Sequence, residues 1–190
     1  MGRFAREWSR DPWAFKILKK GLTWGWCQQP PPYKQFFQEE TPLLEGFLED
    51  LVKAGAVERT TSLLFQGPLF SVPKKNSDKR RVILDLSTLN KSIKCPTFRM
   101  TTLQDVRRLL PAGSFMTSID LKDAYWHVPI HKSFRKYLGF RLGRRKCQFR
   151  VLPFGLNIAP RVFTKLTKPI LRELRLLGVG VLVYLDDWLV

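Results

Sequence analysis

The chain has 190 residues, of which 44% are hydrophobic and 13% aromatic, so it can bury a core, which argues against wholesale disorder. Its formal net charge of +17 favours a polyanionic partner, with nucleic acid ahead of an anionic membrane surface. The three cysteines are widely spaced, which argues against a zinc site or a disulfide framework. The sequence has no signal-peptide pattern and no apolar run long enough to span a membrane. We therefore expect a soluble intracellular protein, cytoplasmic or nuclear and not secreted.

The N-terminal segment, residues 1–34, combines basic side chains with four tryptophans and contains three consecutive prolines, Pro30, Pro31 and Pro32. Polyproline is stiff and extended. The segment is therefore predicted to be an extended arm that wraps the core or grips a partner, and a role in assembly is an alternative.

The first clear helix follows this arm. Thr41 is a typical N-cap, Pro42 suits the first helical position, and Gly55 is a typical end. The apolar residues between them are predicted to share one helical face: Leu43, Leu44, Phe47, Leu48, Leu51 and Val52.

Two strand-like segments, 68–73 and 81–86, flank the polar turn 74–79, which predicts two strands around a basic tip. A short helix capped by Thr101 or Thr102 follows. Its apolar residues are predicted to face inward: Leu103, Val106, Leu109 and Leu110.

The last third of the chain alternates helix and strand. Residues 114–120 resemble a strand that ends on an acid, and segments 137–142 and 146–152 are predicted to pair across a turn. A long amphipathic helix, 158–177, then leads to an apolar strand, 179–185. This order predicts an α+β fold, an antiparallel sheet with helices packed on one face.

Two adjacent acids, Asp186 and Asp187, interrupt the apolar pattern of the last strand. Two like charges held against an apolar sheet are costly unless a cation neutralises them. A metal site at a hairpin tip and a solvated turn remain equal alternatives on local sequence.

A third acid, Asp120, ends the strand 114–120 and could face Asp186 across neighbouring strands. Nucleotidyl transfer by two divalent ions needs carboxylates that bridge both ions, and three acids at two strand ends would supply them. A helix N-cap is the alternative role for Asp120.

Taken together, these segments resemble reverse transcriptases, and most closely those of DIRS-like and gypsy-like retrotransposons. The resemblance covers residues 41–190. The matching segments occur in the family's order: 43–59, Val72-Pro73-Lys74-Lys75, 81–91, 118–129, 152–163 and Tyr184-Leu185-Asp186-Asp187.

The resemblance implies an RNA-directed DNA polymerase in which Asp120, Asp186 and Asp187 hold two Mg²⁺ ions, with Mn²⁺ as a possible substitute. Tyr125 corresponds to the residue that stacks under the incoming sugar and rejects a 2′-hydroxyl, and a core tyrosine is the alternative. The other residues implied to bind the deoxynucleoside triphosphate (dNTP) are Lys74, Arg81, Asp123, Ala124, Phe154 and Gly155. Phe154 stands where retroviral enzymes carry glutamine, so packing against sugar or base would replace a hydrogen bond there, and an ordinary core phenylalanine is an equal alternative. For Lys74 and Arg81 the alternative is a solvated basic hairpin.

A basic segment, residues 131–150, contains no Asp or Glu and alternates cations with aromatic residues. This composition favours contact with a template–primer of RNA or DNA over a solvated charged face. The residues predicted to contact nucleic acid are Arg141, Arg144, Arg145, Lys146 and, at the start of the long helix, Pro160.

The resemblance also implies the domain organisation. Residues 35–112 would be mainly fingers and residues 113–190 a partial palm, with fingers strands at about 131–152 and truncation before the rest of the palm and the thumb. The expected partners are template–primer and dNTP, with no membrane. A retroelement remnant that binds nucleic acid without catalysis is the alternative function, and the oligomeric state stays open.

Overall fold

The computed structural model describes Trp8 and residues 10–73, 80–109 and 113–190, apart from the side chain of Arg81. In chain order the elements are α1 (Pro12–Lys20), α2 (Pro42–Lys53), β1 (Val57–Arg59), β2 (Leu69–Pro73), β3 (Arg80–Leu84), α3 (Ser87–Asn90), α4 (Leu103–Leu109), β4 (Ser118–Asp120), a 3₁₀ helix (Ala124–His127), α5 (Lys132–Arg135), β5 (Gly139–Leu142), β6 (Arg145–Phe149), α6 (Ala159–Leu176), β7 (Leu182–Tyr184) and β8 (Asp187–Leu189). None of these helices is both long and apolar enough to cross a bilayer.

All paired strands are antiparallel and belong to three small sheets, in the orders β1-β6-β5, β2-β3 and β4-β8-β7. The predicted antiparallel α+β architecture is confirmed. The strands are only three to five residues long and are divided among three sheets rather than joined in one.

The described part of the N-terminal segment is folded onto the core, which corrects the prediction of an extended arm. Asp11 caps α1, since its carboxylate accepts hydrogen bonds from the backbone N–H groups of Trp13 and Ala14. Ala14 and Ile17 are buried in the main core. The start signal, an aspartate followed by proline, was present in the sequence, but the nearby polyproline favoured an extended interpretation.

Helix α2 confirms the predicted helix and its start, but the predicted apolar face is too wide, since Leu43 and Val52 are exposed at its margins. The side chain of Thr41 accepts a hydrogen bond from the N–H of Leu44, and Pro42 occupies the first turn. Leu44, Leu48 and Leu51 form its buried face.

Both predicted hairpins are present. Strands β5 and β6 pair across Gly143-Arg144, with Leu142 opposite Arg145, and β2 pairs with β3 along its whole length. The predicted basic tip at 74–79 lies outside the described residues.

Two predictions about the segment before the palm strand are wrong. Helix α4 fully buries none of its side chains: Leu103 is 79% exposed, Leu109 is exposed and Val106 is half-buried. Leu110 lies outside the described residues. The strand predicted for 114–120 is confined to Ser118–Asp120, since pairing with β8 extends over only three residues.

Helix α6 connects the main core to the sheet β4-β8-β7. Its first half buries Val162, Phe163 and Leu166 in the main core. Its second half supports a smaller apolar cluster under that sheet. The residues of this second contact are Ile170, Leu171 and Leu174 on the helix and Val181, Val183 and Trp188 on the strand side.

Candidate active site

The predicted catalytic acids come together on the sheet β4-β8-β7. Asp120 is the register partner of Asp187, and Ile119 is the partner of Trp188. Successive side chains of a strand point to opposite faces. Because Trp188 is buried toward α6, Asp187 lies on the open face, where it and Asp120 are exposed.

Asp186 lies in the two-residue turn between β7 and β8, where Tyr184 pairs with Asp187. The backbone oxygen of Asp186 accepts a hydrogen bond of 3.0 Å from the N–H of Leu121, so the turn is tied to the residue after Asp120. The predicted partner of Asp120 was Asp186. The structure places Asp187 directly opposite instead, one residue further along.

The turn contains an unusual backbone conformation. Leu185 has a φ of 57°, as the first central residue of a type II′ turn requires, although this position is normally occupied by glycine. A left-handed conformation costs a non-glycine residue about 1–2 kcal/mol. The turn that presents Asp186 is therefore strained.

Within the described ranges, no three Asp, Glu, His or Cys side chains converge into a ready-made metal site. Asp120 and Asp187 are neighbours through the sheet register, and Asp186 is adjacent to them through the turn. Like charges directly opposite each other on antiparallel strands are destabilising. The arrangement thus leaves an excess of negative charge on the open face.

Tyr125 lies in the 3₁₀ helix that follows β4 and is 7% exposed. Its ring centroid is 5.0 Å from that of Phe154 and 5.5 Å from that of Phe163. Burial, assisted by the negative charge of Asp186 and by the neighbouring Tyr184 hydroxyl, raises the pKa of its hydroxyl to about 12. The phenol is therefore neutral at physiological pH and close enough to Asp186 to feel its charge.

The other predicted nucleotide-binding residues of this segment surround Tyr125. Asp123 precedes the 3₁₀ helix in a left-handed conformation with a φ of 52°, and Ala124 is buried. Phe154 is 40% exposed at the surface next to Tyr125. We refer to these residues as the patch beside the acids, because Tyr125 contacts Phe154 and the charge of Asp186 acts on the Tyr125 hydroxyl.

The loop that carries Phe154 and Gly155 is held by two asparagines. The side-chain amide of Asn90 donates to the carbonyl of Gly155 at 2.7 Å and accepts from the N–H of Asn157 at 2.9 Å. The side chain of Asn157 donates in return to the carbonyl of Asn90 at 3.0 Å. Sequence analysis assigned no role to either residue, although an amide between two apolar neighbours, Asn157 between Leu156 and Ile158, was a signal.

Gly155 itself requires the freedom of glycine. Its φ is 92°, and a Cβ atom there would lie 3.2 Å from the carbonyl oxygen of Leu84 in β3. The loop therefore packs closely against the backbone of the strand that carries Arg81. Arg81 is opposite Val72 in the β2-β3 hairpin, while Lys74 lies outside the described residues.

The predicted nucleic-acid contacts differ in their surroundings. Arg144 is exposed at the β5-β6 turn, Lys146 is half-buried in β6 and Pro160 begins α6. Arg141 stacks on Phe37 at 5.1 Å and donates to the carbonyl of Gly143 at 2.7 Å.

Arg145 is bonded to two carboxylates. It forms an ion pair of 3.1 Å with Glu40 and a second one with Glu45. These acids already neutralise its charge, which weakens its predicted role in holding a phosphate.

Comparison with known proteins gives a consistent result. Residues 72–190, more than half of the chain, match the family model described as reverse transcriptase (RNA-dependent DNA polymerase). The chain is 25% identical over 190 residues to a putative enzymatic polyprotein of Cassava vein mosaic virus, covering 97% of this chain and 28% of that protein. It is 29% identical over 139 residues to the transposon Tf2-7 polyprotein of Schizosaccharomyces pombe, and this match covers 73% of this chain and 10% of that protein.

A solved structure of the foamy viral protease-reverse transcriptase in complex with double-stranded DNA shares the fold, with a TM-score of 0.71 and 24% sequence identity. The superposition covers 86% of this chain and 28% of the foamy viral chain. The chain thus spans from a tenth to little more than a quarter of the length of these relatives. The DIRS-like or gypsy-like subtype stays a prediction. By the extent of the family match and the ordered motifs on this fold, the chain belongs to the reverse transcriptase (RNA-dependent DNA polymerase) family.

Proposed function

We propose that this chain is the fingers and partial palm of an RNA-directed DNA polymerase that adds dNTPs to a primer 3′-hydroxyl on an RNA or DNA template. The observation that carries the proposal is the pairing of Asp120 with Asp187 on neighbouring strands, with Asp186 in the adjoining turn. Membership of the family supports the same reaction class.

The carboxylates fit magnesium. Mg²⁺ is usually held in enzymes by one or two carboxylates together with water and substrate phosphates, rather than by a closed protein cage. Two exposed acids in register on an open sheet face satisfy that requirement and leave room for a triphosphate. When bound, a pair of such ions would activate the 3′-hydroxyl and stabilise the pyrophosphate that leaves.

In this proposal each acid has a defined task. Asp120 and Asp187 hold the cations from two strands, and the strained turn at Leu185 presents Asp186 beside them. The bond from Leu121 to Asp186 fixes the position of the turn relative to β4. The protein thereby fixes the charge geometry before substrate arrives, which lowers the cost of reorganisation during the reaction.

The patch beside the acids would form the nucleotide pocket. Tyr125 would support the sugar of the incoming nucleotide from below, with Phe154 packing at its edge. Asp123, Ala124 and Gly155 would complete this surface through their backbone positions. Lys74 and Arg81 would hold the triphosphate, a task that suits a point charge and a planar guanidinium.

A nucleic-acid duplex is the proposed partner. The foamy viral relative of the same fold was solved with double-stranded DNA. The exposed Arg144, together with Arg141, Lys146 and Pro160, would contact the template–primer backbone. A net charge of +17 supports a large electrostatic contribution to this binding.

The test is primer extension by the protein that contains this chain, with Mg²⁺, dNTPs and a template–primer. Asp187→Asn should reduce synthesis by about a hundred- to a thousandfold, the order seen when one preorganised electrostatic contact to a transition state is removed. Asp50→Asn provides a matched control, since Asp50 is an exposed acid on α2.

Two results would count against the proposal. Full synthesis by Asp187→Asn would remove the acid from the catalytic site. Salt-sensitive binding of template–primer without any magnesium-dependent nucleotide addition by the unmodified protein would favour the remnant that only binds nucleic acid.

A further inference from the structure

The outer face of α6 carries a row of five cations. They are Arg161, Lys165, Lys168, Arg172 and Arg175, spaced by four, three, four and three residues. At about 100° per residue this spacing keeps all five within about 80° of one another around the helix axis. We call this set the basic row.

The basic row faces away from the catalytic acids. The opposite side of α6 is buried, with Val162 and Leu166 in the main core and Ile170 under the sheet β4-β8-β7. Trp188 points from the sheet toward this buried side, and Asp187 points to the other face. A polyanion on the basic row would therefore lie outside the catalytic cleft.

One acid of another element lies beside the row: Asp105 of α4 lines a cavity with Lys168, Arg172 and Arg175, and it is already paired with Arg99 at 2.8 Å. Glu173 is the sole acid of α6, and it forms an ion pair of 3.1 Å with Arg10 of the N-terminal segment. Like charges at three- and four-residue spacing destabilise a helix, and Arg161 lies in the first turn, where the helix dipole disfavours a cation. A bound polyanion would relieve both effects.

Some of these side chains are already held in place. The ammonium of Lys165 lies 4.1 Å from the ring centroid of Trp13, and Arg175 donates to the carbonyl of Val181 at 3.2 Å. Lys168 and Arg172 are exposed between them. The row thus combines anchored cations with accessible ones on a single helix, which continues through Pro169.

We propose that the basic row binds the phosphate backbone of single-stranded template outside the catalytic cleft. The row begins at Arg161, directly after Pro160, which the proposed function places on the template side. It extends for about 21 Å at 1.5 Å per residue. An anionic bilayer is a poorer partner, because the one aromatic residue of α6, Phe163, is buried, so the helix itself offers no aromatic anchor beside the cations.

The proposal rests on the proposed function, but its test measures binding alone. We would measure the affinity of the 190-residue chain for a labelled template–primer duplex by fluorescence anisotropy. One duplex is blunt, and the other carries a single-stranded template extension long enough to span the basic row. The row variant combines Arg161→Gln, Lys168→Gln and Arg172→Gln.

The matched control combines Lys16→Gln, Lys19→Gln and Lys20→Gln, which makes the same change in charge on the exposed side of α1. The row variant should bind the extended template about tenfold more weakly. The slope of log Kd against the logarithm of the salt concentration should be smaller by about 2 for the row variant. Each lost phosphate contact on a single strand lowers this slope by about 0.7, and the variant removes three. The control should lose less than about twofold.

Equal losses in both variants would overturn the proposal in favour of diffuse charge attraction, and unchanged binding by the row variant would overturn it outright. Loss of binding to phosphatidylserine vesicles with unchanged template affinity would identify a membrane surface instead. If the triple variant loses helical structure by circular dichroism, Arg172→Gln alone tests the same contact, and retained affinity for the extension contradicts it. The readout is equilibrium binding without Mg²⁺ or dNTP, so failure of synthesis by the parent protein and failure of this proposal are distinguishable.

Discussion

Asn90 and Asn157 bind each other through both their side chains and their backbones, across 67 positions of sequence. Because the amide of Asn90 also donates to the carbonyl of Gly155, helix α3 holds the loop that carries Phe154. The fingers and the proposed nucleotide surface are thus joined by three hydrogen bonds of 2.7–3.0 Å.

Removing this amide should loosen the nucleotide surface more than it slows chemistry. Asn90→Ala removes the donor to the exposed carbonyl of Gly155 and the acceptor for the N–H of Asn157, at a cost of about 0.5–1.5 kcal/mol for each hydrogen bond. We expect KM for dNTP to rise about tenfold or more, with a smaller change in kcat. Asn90→Asp keeps the acceptor for Asn157 and should be intermediate. Steady-state primer extension decides this, and an unchanged KM in Asn90→Ala would contradict it.

The strained turn makes a second prediction. Leu185→Gly relieves the strain of a leucine at positive φ, which is about 1–2 kcal/mol. This gain offsets the loss of the leucine side-chain contacts. The free energy of unfolding should therefore stay within about 1 kcal/mol of that of the original protein. Leu185→Val should destabilise the protein clearly, because a β-branched residue tolerates a positive φ even less. Urea denaturation compares them, with Leu189→Gly in the ordinary strand β8 as the control that should be destabilising. Similar losses for Leu185→Gly and Leu189→Gly would argue against the strain.

The sequence predicted most elements of the site but not their exact alignment. The apolar pattern interrupted by Asp186 and Asp187 located the hairpin, since burial selects such patterns. The apolar pattern could not place Asp187 opposite Asp120, because the register of the two strands depends on the type of the turn between β7 and β8. That turn uses a leucine at positive φ, and leucine is not a residue from which such a turn is predicted.

Contacts between distant residues were also beyond the sequence. The pairing of Asn90 with Asn157 depends on how α3 and the following loops pack, which local periodicity does not describe. Helix α1 was missed for a different reason, since it is only nine residues long and lies close to a polyproline stretch that favours extended structure.

The fold of the N-terminal segment can be tested at Gly21, where α1 ends. Its φ is 91°, and an added Cβ atom would come within 2.6 Å of the Cα atom of His131. Gly21→Ala should therefore displace the segment and reduce the free energy of unfolding by about 2 kcal/mol or more. Gly46→Ala is the control, since nothing lies within 4 Å of its added Cβ in α2, and it should stabilise by about 0.5–1 kcal/mol. Thermal unfolding of both variants measures the contrast, and equal midpoints would show that the segment does not contribute to the fold.

The buried hydroxyl of Tyr125 predicts a loss of stability at alkaline pH. Its pKa is raised to about 12 by burial, by the charge of Asp186 and by the neighbouring Tyr184 hydroxyl, whereas an unfolded tyrosine titrates near 10. Above pH 10 the unfolded chain releases this proton, whereas the folded chain keeps it. The contribution of the protonated hydroxyl to the free energy of unfolding is therefore fully present below about pH 10 and is lost as the pH rises toward 12.

The loss should reach about 1.4 kcal/mol by pH 11. Tyr125→Phe cannot ionise, so the difference in free energy of unfolding between the original protein and this variant isolates the hydroxyl from all other titrating groups. Urea denaturation at successive pH values should show the variant gaining relative to the original protein above pH 10. A constant difference across this range would mean that the hydroxyl titrates as in the unfolded chain and is not buried beside Asp186.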